Sequence, residues 1–321
     1  MKGKKLFAWL LAALPLLATA DQRIVLEDVG FAFPESVIHD AQRDVYLVSN
    51  VNGRAIDVDD NGFISRISPE GRVIDLKWID GQRDGITLHA PKGLAIVGNV
   101  LYVADHGDAE GNVVRLFDLD SGAPVGEVKI PRSYFLNSLA ALPSGDVLVT
   151  DSAWQLTLTT DDATQPLAPG ARRHHDQSTW SPTGQDAIYR IGPDRKVSVF
   201  ARSPELAQPN GIRLLESGNL LVGSSSASHV YELDPSGKKI SVRYFPARGF
   251  DGVGKTPDGR ILASGGGKLN VLWPGGKVDT HPGIDSHVTD LNFDLTRGRL
   301  LLPQGPANAL VIEPLPAKAD Q

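Results

Sequence analysis

Six residues of this chain occupy the same position in a recurring motif, and four of them carry side-chain oxygens. Each is followed by Ser, Gly or Asp and then, after a short turn, by an apolar run such as VYLVSN (45–50). The six are Glu35, Lys92, Asn137, Asn210, Asp251 and Thr289. Two carboxylates balance a divalent cation, and an all-oxygen set suits Ca²⁺, Mg²⁺ or Mn²⁺. One cation is therefore predicted to bind Glu35, Asn137, Asn210 and Asp251. A roomy site favours Ca²⁺, and the ligands alone do not exclude Zn²⁺.

Lys92 and Thr289 fill the two remaining positions of the motif. An ammonium group facing the same site would hold a substrate carboxylate or an oxyanion, which makes Lys92 a candidate catalytic and substrate-binding residue. The alternative is that Lys92 points to solvent. The histidines are rival proton acceptors because they titrate near neutral pH. None has a spacing that marks it as catalytic, so structural or solvent roles are expected for His89, His106, His174, His175 and His287.

The spacing of the motif predicts the elements that position these residues. Successive copies are 57, 45, 73, 41 and 38 residues apart, and a four-stranded propeller blade takes about 40–50 residues. Between them lie short aliphatic and β-branched runs separated by Gly, Pro, Asp, Asn and Ser turns, which is typical of all-β folds. We therefore expect a six-bladed β-propeller with four-stranded blades around a central channel. The motif residue should begin the innermost strand of each blade, so that the six side chains meet at the axis.

Two further segments complete this architecture. The last repeat, ALVIEPL (309–315), ends after one strand, and RIVLEDV (23–29) is predicted to supply the missing outer strand and close the ring. Blade three contains a polar, Pro-rich insertion at about 152–186. Long loops in compact domains are often functional. We expect a lid over one mouth of the channel, with a solvated surface loop as the alternative.

The N-terminal residues 1–20 have the features of a cleavable export signal: lysines, an apolar run and Ala18-Thr19-Ala20. Residues 21–321 then form one mature domain without a membrane span, expected in the periplasm or outside the cell. The absence of cysteine excludes disulfides, a lipid-anchored cysteine and thiolate metal sites. Without the three signal lysines, 29 basic and 38 acidic residues give a net charge of −9, which disfavours nucleic acid and anionic membranes as partners. The sequence gives no indication of a protein partner.

A second metal-binding pattern lies outside the motifs. The segment DVDDNGFI (57–64) matches the first half of an EF-hand loop, including the Gly at position six. The twelfth position is Ser68 instead of a bidentate Glu, and no helical pattern flanks the segment. A hairpin turn built on Asn61-Gly62 is therefore expected, with a surface calcium site at 57–68 as the alternative.

The motifs resemble those of the gluconolactonase/regucalcin family of six-bladed propellers and, more distantly, the paraoxonase-type lactonases. The likeness spans nearly all of the mature chain and is carried by NSLAALPSGDVLVTD (137–151), QPNGI (208–212) and DGVGKTPDGRIL (251–262). It implies a divalent metal held in the channel by Glu35, Asn210 and Asp251, with Asn137 binding either the metal or, through water, the substrate. It also implies metal-assisted hydrolysis of a ring ester, in which Asp251 accepts a proton from the attacking water.

Two functions remain open at this point. The first is an exported, metal-dependent lactonase acting on a sugar or related lactone. The second is a non-enzymatic propeller that binds a small ligand or a protein partner and keeps a structural ion on its axis. A polar pocket beneath the insertion would favour the enzyme, and an apolar top face would favour the binding protein. Serine-nucleophile chemistry is disfavoured because the chain has no G-x-S-x-G motif.

Overall fold

The computed structural model describes residues 22–107, 111–158, 172–173, 178–284 and 286–315. These residues form an all-β fold. They contain no α-helix, and their helical elements are two 3₁₀ turns, Pro204–Leu206 and Gly305–Ala307. Within these ranges no helix has the length and apolar character needed to cross a membrane. The predicted export signal at 1–20 lies outside the described residues.

Over the described ranges the strands form six four-stranded antiparallel sheets and one three-stranded sheet, which confirms the predicted propeller. The strands are β1 (Ile24–Leu26), β2 (Pro34–Asp40), β3 (Val45–Asn50), β4 (Phe63–Ile67), β5 (Val73–Asp80), β6 (Leu94–Val97), β7 (Val100–Asp105), β8 (Gly111–Asp118), β9 (Pro124–Pro131), β10 (Leu136–Ala141), β11 (Val147–Asp151), β12 (Trp154–Leu158), β13 (Arg172–Arg173), β14 (Ser178–Pro182), β15 (Ala187–Ile191), β16 (Val197–Arg202), β17 (Pro209–Leu214), β18 (Leu220–Ser224), β19 (His229–Leu233), β20 (Lys239–Tyr244), β21 (Phe250–Lys255), β22 (Ile261–Gly265), β23 (Lys268–Leu272), β24 (Val278–Thr280), β25 (Asn292–Asp294), β26 (Arg299–Gln304) and β27 (Ala309–Pro314).

Each blade is an antiparallel meander that starts at the central channel, where the inner strands of neighbouring blades contact one another. In order from the inner strand outward, the blades are β2 to β5, β6 to β9, β10-β11-β15-β16, β17 to β20, β21 to β24, and β25-β26-β27-β1. The second strands are the apolar runs seen in the sequence, and every residue of β11, β18, β22 and β26 is buried. Both faces of these strands are covered by neighbouring blades, which explains why consecutive residues in them are apolar instead of alternating with polar ones.

The core lies between the blades. Leu47 and Ile64 of blade one, for example, share a cluster with Leu101 and Phe117 of blade two. Outer strands such as β16 and β20 are half-buried or exposed. This gradient of burial keeps the inner strands rigid, so that their side chains are held in fixed positions around the channel.

The ring is closed by the N-terminal strand, as predicted. Strand β1 pairs antiparallel with β27, with Ile24 opposite Ile312 and Leu26 opposite Leu310. Arg23 extends this seam by donating a hydrogen bond of 2.6 Å to the carbonyl oxygen of Gly283. Pairing β1 with β27 covers an edge that would otherwise expose unpaired backbone groups.

The blade-three insertion interrupts the blade without breaking it, because β11 pairs directly with β15. Its described part forms the three-stranded sheet β12-β14-β13, in which Trp154 lies opposite Pro182. Residues 159–171 and 174–177, which include His174 and His175, lie outside the described residues.

The prediction of a hairpin turn on Asn61-Gly62 is wrong. Strands β3 and β4 are joined by a long loop, 51–62, and this dipeptide lies at its end, immediately before β4. The backbone N–H of Gly62 donates to the carbonyl of Leu88, so the loop packs against the connection between blades one and two instead of turning tightly. Within the loop, Arg54 forms an ion pair of 2.7 Å with Asp57.

Candidate functional site

All six motif residues line one cavity of about 430 Å³ at an end of the channel. Together with His287, which also lines it, we call them the floor of the cavity. Asn137, Asn210 and Asp251 each occupy the second position of an inner strand, as does Glu35. The six motif residues therefore converge on one cavity, as predicted. They are Glu35, Lys92, Asn137, Asn210, Asp251 and Thr289.

A β-bulge places each of the four oxygen-bearing residues. The register between the first two strands of blades one, three, four and five shifts across the motif position: between Pro34 and Ser36, Leu136 and Leu139, Pro209 and Ile212, and Phe250 and Val253. A bulge adds one residue to a strand and changes the direction of a side chain. Lys92 and Thr289 instead precede their strands, β6 and β25.

The small residues after the motif position allow the inner strands to approach closely. A Cβ atom at Gly211 would collide with the carbonyl oxygen of Asp251, and one at Gly252 would collide with the backbone N of Leu291. Hydroxyl groups then join adjacent blades. Thr150 accepts a hydrogen bond from the N–H of the residue after Asn137 and donates to the carbonyl of Asn210 at 2.7 Å. The backbone of the floor is thus fixed from both sides.

Asp251 is hydrogen-bonded through both carboxylate oxygens. Its Oδ1 accepts from Nδ2 of Asn210, and its Oδ2 lies 2.9 Å from Nε2 of His287. Burial acts to lower the pKa of His287, but the hydrogen bond and the charge of Asp251 outweigh it and raise that pKa. This arrangement joins a carboxylate and an imidazole on the floor of the cavity, a pairing that serves proton transfer in many enzymes.

From the sequence, His287 is one of several rival proton acceptors with no catalytic spacing, although a stronger signal for its place in the site was present. It stands two residues before Thr289, and the corresponding residues before Glu35, Asn137 and Asp251 are Phe33, Phe135 and Gly249, which also line the cavity. Aligning the six repeats at this second position would have placed His287 in the site. The structural or solvent role expected for His287 does not account for its contact with Asp251, a candidate site residue.

Lys92 and Glu35 bring opposite charges to the floor. Lys92 is only 3% exposed, so it does not point to solvent; its Nζ donates to the carbonyl of Ala90 at 3.0 Å. Burial lowers the pKa of Lys92 to about 8, against the opposing effect of Asp105 and Glu35. Desolvation and the negative charge of Asp251 raise the pKa of Glu35 well above its usual value. The two carboxylates of the floor therefore repel each other.

One side of the cavity is aromatic. Phe135, Trp154 and Trp180, which we call the aromatic wall, all line it. The ring centroids of Phe135 and Trp180 are 5.0 Å apart and those of Trp154 and Trp180 6.2 Å apart, with tilted planes. Trp154 donates from Nε1 to Oγ of Ser225 at 3.1 Å, which fixes its indole ring. The insertion thus contributes directly to the cavity through Trp154 and Trp180.

The other described histidines near this end of the channel do not line the cavity. His89 is buried and accepts a hydrogen bond at Nδ1 from the backbone N–H of Asp60. Burial and the charge of Lys92 lower the pKa of His106 to about 4. Structural roles suit both, as expected from the sequence.

No family model matches the chain, and no curated protein matches it. Solved structures do. A gluconolactonase from Xanthomonas campestris is 19% identical over 92% of this chain and 90% of its own, with a TM-score of 0.64. A second protein, placed among the gluconolactonases, is 20% identical over 91% and 92%, with a TM-score of 0.59. The chain has the fold of the gluconolactonase-like propellers. Virginiamycin B lyase from Staphylococcus aureus is also similar, at 13% identity over 91% and 98%, with a TM-score of 0.58.

In this gluconolactonase-like propeller, the donor set fits the hard cation expected from the sequence. Asn137 and Asn210 both engage their amide nitrogens with protein, Asn137 donating to Oγ of Ser152 at 2.5 Å and Asn210 to Asp251. Their amide oxygens remain as acceptors beside two carboxylates that repel each other, and a cation would relieve that repulsion. Among the described residues, no three side chains of the His, Cys, Asp and Glu types form such a group. Any ion here would therefore need the amide oxygens.

Proposed function

We propose that the protein is a divalent-metal-dependent lactonase that opens the ring of a lactone with water. The observation that carries this proposal is the floor of the cavity, where the motif residues converge and Asp251 is hydrogen-bonded to His287. The fold shared with gluconolactonases supports the same chemistry. The volume of about 430 Å³ is sufficient for a small ring ester.

Glu35, Asn137, Asn210 and Asp251 would hold the cation. Their oxygen atoms suit Ca²⁺, Mg²⁺ and Mn²⁺ better than Zn²⁺, and a roomy site favours Ca²⁺ among these. When bound, the cation would polarise the lactone carbonyl and stabilise the oxyanion that forms on it. The protein prepares this position by bringing two carboxylates together at a partly desolvated floor, as the raised pKa of Glu35 indicates.

The proton of the attacking water goes to the pair formed by Asp251 and His287. With Nε2 of His287 donating to Asp251, its Nδ1 is the acceptor, and the carboxylate stabilises the imidazolium that results. Asp251, expected from the sequence to accept this proton alone, instead shares the task. The water oxygen bonds to the carbonyl carbon, the ring carbon–oxygen bond breaks, and the released ring oxygen takes the proton. The product is a hydroxy acid.

Lys92 assists by placing a positive charge at the floor. Its Nζ lies 4.8 Å from the centre of the Phe135 ring and close enough to Glu35 for their charges to interact. An ammonium group there attracts the developing oxyanion and the product carboxylate. Asn137 contributes to the same polar floor and would contact either the ion or, through water, the substrate.

The compartment is part of the proposal: cleavage after residue 20 would release the protein into the periplasm or the medium. Fractionation of cells that express the full chain tests this, and a mature protein that begins at Asp21 in the exported fraction is the expected result. Retention of the full-length chain in the cytoplasm would contradict it.

The function is tested by assaying a panel of sugar, aliphatic and aryl lactones with protein that has been stripped by chelator and reloaded with each cation. Asp251→Asn should abolish turnover and weaken cation binding measured by calorimetry. Asp279→Asn provides the matched control, because Asp279 lies on the same blade outside the cavity. If the folded wild type binds a cation but hydrolyses no lactone faster than Asp251→Asn does, the enzyme proposal fails in favour of a ligand-binding propeller.

A further inference from the structure

The aromatic wall and the polar floor divide the cavity into two chemically different parts. Phe135 and Trp154 are 4% and 3% exposed, and Trp180 packs between them. Phe33, Val51 and Pro306 add further apolar lining to the cavity. A ligand whose ester group reaches the floor must therefore place the rest of its ring system against apolar side chains.

The part of the cavity above the floor offers few hydrogen-bonding groups to a ligand. Apart from the indole N–H groups of Trp154 and Trp180, the polar side chains among the described lining residues above the floor are those of Arg54 and Ser225. Arg54 is paired with Asp57, and Ser225 accepts from Trp154. Several hydroxyl groups of a polyol would lose water there without gaining partners, which is unfavourable. An aromatic or aliphatic ring would instead gain from burial and from contact with the indole and phenyl rings.

From this division we infer that the substrate is a lactone that carries an aromatic ring, with Trp180 as the residue that determines this preference. The inference rests on the proposed lactonase function. The carbonyl group lies at the floor beside Asp251 and His287, and the aromatic ring of the substrate lies against Trp180, Trp154 and Phe135. Because Trp180 belongs to the insertion of blade three, this insertion would be what sets the substrate class.

The test compares kcat/KM for three lactones: dihydrocoumarin, which has a fused aromatic ring, δ-valerolactone, which has none, and glucono-δ-lactone, a polyol. We expect dihydrocoumarin to be preferred over glucono-δ-lactone by at least about tenfold. Trp180→Ala should reduce kcat/KM for dihydrocoumarin by about tenfold more than it reduces kcat/KM for δ-valerolactone. Trp180→Phe should restore most of the loss. Trp273→Ala, a tryptophan of blade five outside the cavity, is the control.

A preference for glucono-δ-lactone, or an equal loss on all three substrates in Trp180→Ala at an unchanged melting temperature, would overturn the inference while leaving the lactonase function intact. A second measurement separates the two failures. Titration with the lactam counterpart of dihydrocoumarin, followed by calorimetry, reports binding even if no lactone is turned over. Binding that is lost in Trp180→Ala and retained in Trp180→Phe supports the inference, and the absence of binding to the wild type overturns it.

Discussion

Asp251 is held at both carboxylate oxygens, by Asn210 on one side and by His287 on the other. These two contacts separate the two tasks proposed for the floor. The amide neighbour belongs to the set that would hold a cation, whereas the imidazole neighbour provides a nitrogen for proton transfer. Substitution of His287 should therefore reduce lactone turnover without changing the affinity for the cation.

His287→Gln tests this separation. Because Gln retains a hydrogen-bonding side chain but cannot accept and store a proton, we expect kcat/KM for lactone hydrolysis to fall about 10²–10⁴-fold. Cation affinity measured by calorimetry should stay close to the wild-type value, since Glu35, Asn137, Asn210 and Asp251 are unchanged. His281→Gln, which alters a histidine near Glu313 outside the cavity, is the control and should be fully active. Activity of His287→Gln within a few-fold of wild type would exclude the imidazole from proton transfer.

At the scale of the strand, two features position the side chains of the floor: the bulge at the motif position and the small residue that follows it. Gly211 follows Asn210 and lies against the backbone of Asp251, where no Cβ fits. In blade three the equivalent residue is Ser138, whose Cβ is accommodated and whose hydroxyl has no hydrogen-bond partner among the described residues. Gly211 and Ser138 thus occupy equivalent positions of their repeats, but only the position of Gly211 is too crowded for a Cβ atom.

Gly211→Ala should push β17 and β21 apart and displace Asp251. The expected result is a loss of about 1–3 kcal/mol in the free energy of unfolding, typical of overpacking, together with reduced lactone turnover. Ser138→Ala, at the same position of its repeat, should change both the free energy of unfolding and lactone turnover much less. Chemical denaturation and steady-state kinetics measure both effects. Equal stability of the two variants would show that the close approach of the inner strands is not needed for the site.

Much of the fold follows from the sequence because a propeller repeats one pattern. The apolar second strands and the phase of the motif identify the blades, and an unpaired last strand predicts closure by β1. Neither the loop 51–62 nor His287 could be read in this way. The loop is held by long-range contacts with the connection between blades one and two, such as Gly62 to Leu88, which no local pattern encodes. Other blades have different residue types at the position of His287, so its place in the site emerges only when the repeats are aligned two residues before the motif position.

The candidate site, like the fold, has some features that follow from the sequence and others that do not. Convergence of the six motif residues follows from blade geometry, and their chemical types were available in the sequence. The desolvation that shifts the pKa of Lys92 and Glu35 depends on how tightly neighbouring blades pack, which the sequence does not specify. Two residues of the aromatic wall, Trp154 and Trp180, belong to the insertion of blade three, whose length departs from the repeat.

The whole molecule depends on the seam between its first and last blades. On the outer edge this seam is made by β1 pairing with β27. Between blades one and six it is made by a charged cluster around Asp294, which is fully buried. Tyr46 donates to Asp294 at 2.8 Å, Arg297 donates to it at 3.1 Å, and Nδ1 of His39 lies 3.4 Å away. These contacts connect β2 and β3 with the end of β25, so they should contribute to stability in a pH-dependent manner.

Burial alone would raise the pKa of Asp294, but the hydrogen bonds from Tyr46 and Arg297 and the charge of His39 outweigh it and lower that pKa. The unfolded chain, with an ordinary carboxyl pKa of about 4, therefore binds the proton at higher pH than the folded chain does. The stability that Asp294 contributes is present above that pH and is lost as the pH falls through the lowered folded value.

Asp294→Asn removes the charge and preserves an acceptor for Tyr46. We expect its urea midpoint near pH 7 to fall by an amount corresponding to about 1–3 kcal/mol relative to wild type, because Arg297 loses its buried partner. The difference should shrink as the pH is lowered toward about 3, since the wild-type carboxylate is then losing the same interaction by protonation. Glu216→Gln, an exposed carboxylate on another blade, should follow the wild type throughout. A difference that stays constant over this range would mean that Asp294 joins the two blades through its shape and hydrogen bonds and not through its charge.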